Sequence, residues 1–292
     1  MQAPTRPRSM PSEAVLTLHD QHKVYFDFAE FKPEIPSLLH QGSLGEDCLA
    51  VIQRLGMIEP LTGAYVPPAA IDPTATNLRE CVVANGLLSR NRAVLKILER
   101  TYGSVSALAQ QHIYLVEAIS GFASWMRRRV GDQNLICSEF LEESEIPVSD
   151  IPHQDLCELS FSDQSFDLVL CNELFEHVRD LDQAFSEIHR VLRPDGRLVA
   201  TCPLAFGQKE SILKARLNQQ TGEPETIGEP EHHGDPVRPG HGSLVYRIPG
   251  WEILEQLQQA GFKMTAIHHI CSWKHGVLGS DLPGVLIIEA QR

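Results

Sequence analysis

Residues 165–178 read Ser165-Phe166-Asp167-Leu168-Val169-Leu170-Cys171-Asn172-Glu173-Leu174-Phe175-Glu176-His177-Val178, and this stretch decides the fold. Its first half is a short apolar run without polar alternation, the pattern of a strand buried on both faces of a parallel sheet. Its second half changes abruptly to carboxylates and an imidazole, where the strand's carboxyl end would meet solvent or ligand. Next, residues 180–192 place Leu181, Ala184, Phe185, Ile188, Val191 and Leu192 at helical spacing. The turn Pro194-Asp195-Gly196 then releases a strand over 197–202.

The same alternation extends in both directions. Upstream, the spacing predicts helices over 77–85 and 89–102, the second N-capped by Ser89 and closed by Gly103. A strand follows over 113–117, then a helix capped by Ser120 with Phe122, Trp125, Met126 and Val130 on one stripe, and a strand over 135–140. Downstream, residues 251–260 predict a helix closed by Gly261. Strands over 264–270 and 285–290, joined by a short Gly and Pro loop, should pair antiparallel at one edge. Strands alternating with helices imply an α/β domain with a sheet wrapped on both faces, and ligands bind such sheets at the strands' carboxyl ends.

The N-terminal part reads differently. Residues 1–14, rich in Pro, Ser and Arg, predict a mobile tail. A β-like run at 24–28, a helix around 47–55 and a proline-stiffened linker over 63–73 suggest a small accessory region. The expected division is therefore 1–76, a tail and accessory region that lids the pocket, and 77–292, the catalytic domain.

Composition narrows the function. The chain of 292 residues is long enough to bury a core without staples. Its net charge of -13 repels phosphate backbones and anionic lipid, which disfavours nucleic acid and membranes and favours a small-molecule substrate. A homodimer is admissible. Seven cysteines without a C-x-x-C pair read as reduced thiols, and no stretch approaches the ~18 apolar residues of a membrane span. A cytoplasmic location is expected.

Three linked runs, His153-Gln154-Asp155-Leu156-Cys157-Glu158-Leu159-Ser160-Phe161, the stretch quoted above, and Arg190-Val191-Leu192-Arg193-Pro194-Asp195-Gly196-Arg197-Leu198-Val199, resemble the second half of a class I S-adenosylmethionine (SAM) dependent methyltransferase of the type 11 group. The resemblance covers about residues 113–204. It implies a Rossmann-like seven-stranded sheet, mostly parallel with an antiparallel C-terminal strand, here with an N-terminal helical extension, and SAM as cofactor. It also implies roles: Glu139 for the ribose hydroxyls, Asp155 and the Leu156 amide for adenine, and Asn172 beside the sulfonium and methionine portion. One departure is clear. The family's first strand usually ends in an acid and a G-x-G-x-G loop, but here the residues are Leu115-Val116-Glu117-Ala118-Ile119-Ser120-Gly121-Phe122. Only Gly121 survives, leaving Glu117 for the methionine amino group and the helix start at Ser120 and Gly121 for its carboxylate. A scaffold protein that has lost catalysis is the alternative. A nicotinamide enzyme is disfavoured because G-x-G-x-x-G is absent.

Two clusters suggest chemistry. Glu173, Glu176 and His177 at i, i+3 and i+4 could converge on a divalent ion such as Mg2+, as similar runs do in methyltransferases acting on catechol-like or ribose hydroxyls, or they could simply cap a helix. The long segment 203–250 holds Glu231-His232-His233-Gly234-Asp235-Pro236. A histidine there, His233 with Asp235 beside it, could be the general base for methylation of a hydroxyl oxygen, with His177 nearby, or His233 or His232 could be a fourth metal ligand. Trp251, Trp273 and Phe206 are candidate pocket walls, and Arg127, Arg128 and Arg129 read as a solvated helix end.

Overall fold

The computed structural model describes residues 12–74, 77–142, 150–218 and 220–292. Its centre is a seven-stranded sheet of β1 (Gln21–Tyr25), β2 (Ile113–Leu115), β3 (Leu135–Cys137), β4 (Phe166–Asn172), β5 (Leu192–Thr201), β6 (Met264–Cys271) and β7 (Val285–Gln291), ordered β1-β6-β7-β5-β4-β2-β3. Strands β3, β2, β4 and β5 run parallel. The β7 strand is antiparallel to both β5 and β6, so the C-terminal strand is inserted between β5 and β6. This is the α/β, Rossmann-like sheet expected, with one addition.

The addition is β1, which pairs antiparallel with β6 from Gln21 opposite Cys271 to Tyr25 opposite Ile267 and forms one edge of the sheet. The β-like run of the accessory region is thus a strand of the central sheet. Most of the tail expected over 1–14 lies outside the described residues, but Ser12 already caps a short helix, Glu13–Thr17, whose Val15 is buried. The pairing of β1 with β6 brings the half-buried His22 against the buried His268. His22 Nε2 lies 2.8 Å from His268 Nδ1, and His268 Nε2 lies 2.8 Å from Glu289 Oε2. His269 is equally buried on the opposite face.

Alternation along β4 splits the core. Leu168 and Leu170 face α1 (Ser89–Tyr102) and α2 (Gly121–Val130), meeting Ala93, Ile97, Phe122 and Trp125. Val169 and Cys171 face α3 (Leu181–Val191) and α4 (Ile253–Gln259), meeting Phe185, Ile188, Leu254 and Leu257. Burial on both faces explains why the strand reads as an unbroken apolar run.

Local signals place most boundaries. Ser120 Oγ accepts from the Ala123 N–H, Asp180 Oδ1 accepts from the Gln183 N–H, and Gly103 closes α1 in the left-handed region at φ 76°. Two expectations fail. Residues 77–85 form turns and isolated bridges, Asp72 to Val83 and Ala84 to Leu87, instead of a helix. Ser89 is the first helical residue rather than the cap, because its hydroxyl donates to the Leu278 carbonyl and accepts the Leu278 N–H. Tertiary hydrogen bonding took the residue that local propensity assigned to capping. All seven cysteines are free thiols. Among the described residues no helix is long and apolar enough to cross a membrane.

Candidate functional site

The residues expected to hold a cofactor lie along the carboxyl ends of β2, β3 and β4. Glu117 follows β2, and the Asn172 Nδ2 at the end of β4 donates to its Oε1 at 2.6 Å. Burial pushes the Glu117 carboxyl up, and hydrogen bonds from Ser120 and Asn172 oppose it. Glu139 follows β3 and accepts the Ala118 and Ile119 N–H groups at 2.7 and 3.2 Å, both on Oε1. Asp155 accepts from the Cys157 N–H on Oδ1 and from Arg179 Nη2 at 2.6 Å on Oδ2, while the Leu156 side chain is in the core.

The remodelled loop after β2 is held entirely by this chain. Arg127, from the run expected to be solvated, donates to the Ala118 carbonyl at 2.6 Å, and Arg128 donates to the Asn85 carbonyl at 3.0 Å. Gly121 is needed for a reason its motif does not suggest. A Cβ there would lie 2.1 Å from the Gly86 carbonyl oxygen, so its bare face admits the 84–87 turn.

A cavity of about 780 Å³ opens one residue further along β4. It is lined by Glu173, Glu176 and His177 after β4, by Cys202 after β5, and by Phe206, Glu231 and His233 of the long segment. Arg79, Arg90 and Ser280 complete it, and among the described residues none that lines it precedes Asn77. Trp251 is instead core, and Trp273 Nε1 donates to the Val15 carbonyl.

Glu173 departs from its expected role. The backbone after β4 turns through φ 51° at this residue, and the carboxylate meets Arg79 in a two-pronged pair at 2.5 Å per bond. Burial pushes its carboxyl up, but the Arg79 fork outweighs burial and holds it at about 2. Committed to Arg79, Glu173 does not converge with Glu176 and His177, which occupy a single turn, Phe175–His177, rather than a longer helix. Nothing in the sequence marked Arg79, whose partner lies 94 residues away, or Arg90, which holds Glu80 through Nε at 2.9 and 3.0 Å.

The long segment is folded into short hairpins that carry its histidines to the site. His232–His233 pairs with Ser243–Leu244, and the Tyr246 N–H donates to the Glu176 carbonyl at 2.8 Å. This brings His233 Nδ1 to 3.6 Å and His177 Nε2 to 3.7 Å from Glu176 Oε1. Glu176 raises the His233 imidazole, burial opposes that, and Glu231 at 3.2 Å adds to it. Asp235 is not the partner of His233. Its carboxylate accepts from Ser243 Oγ at 2.6 Å, Arg238 Nη1 at 2.8 Å and the Val237 N–H, which locks the hairpin, so the acids beside the histidine are Glu176 and Glu231.

Comparison with known proteins bears directly on the segment around β4. Residues 101–200 match the model of a family described as a methyltransferase domain. No curated protein matches the chain. Among solved structures, a SAM-dependent methyltransferase from Mesorhizobium loti shares 18% identity over 62% of this chain and 91% of its own, with a TM-score of 0.40. The 1,6-didemethyltoxoflavin-N1-methyltransferase of Burkholderia thailandensis shares 16% over 64% and 76%, with a TM-score of 0.35. A phosphoethanolamine-type N-methyltransferase from Haemonchus contortus shares 20% over 63% and 40%, at 0.36.

Proposed function

We propose that this chain, whose residues 101–200 match a family model described as a methyltransferase domain, is a SAM-dependent enzyme of the class I type that transfers a methyl group to a hydroxyl oxygen of a small metabolite of secondary-metabolite or sugar type. The observation that carries the reading is the junction at Asn172 and Glu173. Asn172 is bonded to Glu117 on the cofactor side, and the next residue lines the 780 Å³ cavity. A methyl donor along the strand ends and an acceptor in the cavity would therefore meet across one peptide unit.

The residue types fit the donor. Carboxylates stand after β2 and β3, Asp155 follows, and the hydrogen bonds on Glu139 leave its Oε2 for a ribose hydroxyl. SAM supplies an activated methyl on a sulfonium, so the reaction needs alignment more than activation. Bound there, SAM would supply the methyl: the acceptor oxygen would displace the sulfonium sulfur, which keeps the electron pair of the broken carbon–sulfur bond, and the hydroxyl proton would pass to the His233 imidazole. Glu117 and Asn172 orient the methionine end, Glu139 and Asp155 fix the nucleoside, and Phe206 and Leu204 offer an apolar wall to the acceptor. Glu176, His177 and His233 are the groups placed to meet the hydroxyl.

One observation favours a scaffold protein without turnover. Gly86 covers Gly121, and Glu139 already binds the amides of the loop after β2. Calorimetric titration with SAM and with S-adenosylhomocysteine decides between the two. Micromolar binding, followed by label transfer from methyl-labelled SAM to a hydroxylated acceptor, supports the enzyme; no binding of either nucleoside supports the scaffold.

A further inference from the structure

Glu176, His177 and His233 each offer one ligand atom, and these atoms all lie within 4.8 Å of one another. Glu176 is almost wholly buried at 1% exposure, and its Oε2 has no hydrogen-bond partner. Among the described residues, no lysine or arginine lies within ion-pair range of it, only the two imidazoles. A buried carboxylate in that state lacks a positive charge.

Both imidazoles are oriented for the task by their outer nitrogens. His177 Nδ1 donates to the Leu244 carbonyl at 2.9 Å, which leaves the Nε2 lone pair facing Glu176. His233 Nε2 lies 3.2 Å from Glu231 Oε1, which as a carboxylate can only accept, so in the neutral ring Nδ1, turned toward Glu176, is the nitrogen able to ligate. Glu231 is in turn held by Lys214 at 2.8 Å. Ligand atoms ~2.1 Å from a common ion stand ~3.0–3.4 Å apart, so the two imidazoles, at 3.6 and 3.7 Å from Glu176 Oε1, need to close on that oxygen by only a few tenths of an ångström, and the two imidazole nitrogens, within 4.8 Å of each other, close by rotation of their side chains.

We propose that Glu176, His177 and His233 bind one divalent transition-metal ion of the zinc, manganese or cobalt class at the floor of the acceptor cavity. Two nitrogen donors and one oxygen select such ions over magnesium, which prefers oxygen ligands. This replaces the magnesium site expected from Glu173, Glu176 and His177, because Glu173 is committed to Arg79. Three protein ligands leave positions open toward the cavity, where the ion would lower the pKa of an acceptor hydroxyl. That role in methyl transfer rests on the function proposed above; the binding itself does not.

The test is equilibrium dialysis of the chelator-stripped full chain against zinc or cobalt, with metal counted by mass spectrometry and cobalt followed by its visible absorption. One equivalent per chain is expected, unaffected by millimolar magnesium. His233→Ala and His177→Ala should each weaken it at least a hundredfold, and Glu231→Gln about tenfold. Glu231 is more exposed than either histidine, so its variant keeps the test valid if the histidine variants fail to fold. Failure of the folded wild type to bind either metal, binding that survives both histidine variants, or equal competition by magnesium would overturn the site. S-adenosylhomocysteine binding without metal binding would sink this inference alone, and the converse would sink the methyl-transfer reading alone.

Discussion

Replacing Arg79 with leucine while keeping Glu173 leaves a carboxylate facing the cavity floor without its counter-charge. The magnitude follows from the acid's titration, held at about 2 against an ordinary 4.5. At about 1.36 kcal/mol per unit, the ionised form contributes about 3 kcal/mol to folding at pH 7. Because the folded value is depressed, this contribution is complete above pH 4.5 and is lost as pH falls toward 2, with about 1 kcal/mol remaining near pH 3. Arg79→Leu should therefore lower the unfolding free energy by about 3 kcal/mol at pH 7, measured by urea titration followed by circular dichroism. The penalty should shrink to about a third of that at pH 3. The double variant Arg79→Leu/Glu173→Leu should recover most of it, since the cost lies in the unpaired charge and not in the loss of the pair. A penalty under 1 kcal/mol at pH 7, or one that is the same at pH 7 and pH 3, refutes the reasoning.

Gly121→Ala places a Cβ 2.1 Å from the Gly86 carbonyl and should lower stability by about 1–3 kcal/mol, read from the thermal midpoint; an unchanged midpoint would show that the turn can move. Asp155→Asn removes a half-exposed pair with Arg179 and should change stability by less than about 1 kcal/mol. The same variant should weaken SAM binding about tenfold, and an unaltered calorimetric Kd would remove Asp155 from the adenine site. Burial lowers the His269 imidazole to about 4, and burial together with His268 lowers His22 to about 4. Both are favoured neutral in the fold, so their contribution is complete above pH 6.5 and is lost as pH falls toward 4, by about 3 kcal/mol for His269. A His269→Phe variant should flatten the unfolding free energy between pH 6.5 and 4.5, and a slope unchanged from the wild type would contradict the assignment.

The parallel strands and their helices were legible because their signals are local. A strand buried on both faces must be apolar throughout, as β4 is, and a helix start needs a side chain such as Ser120 or Asp180 within three residues of the amide it caps. Glu117, Glu139, Asp155 and Asn172 could be placed for the same reason, since each follows a strand or lies in a contiguous motif. The capping role of Ser89 was misread because Leu278, 189 residues away, takes its hydroxyl, whereas 77–85 forms local bridges and Asp235 is taken by Val237, Arg238 and Ser243 in its own hairpin.

By itself, then, the sequence determined the wrapped parallel sheet, the antiparallel final strands and the row of acids at the strand ends. Only the tertiary structure decided that β1 completes the sheet, that Glu173 belongs to Arg79, and that Glu176 gathers two histidines 56 residues apart in the chain. The division has a physical cause. Hydrophobic period and capping act within a few residues, whereas a buried charge takes whichever partner the packed core brings within a few ångströms.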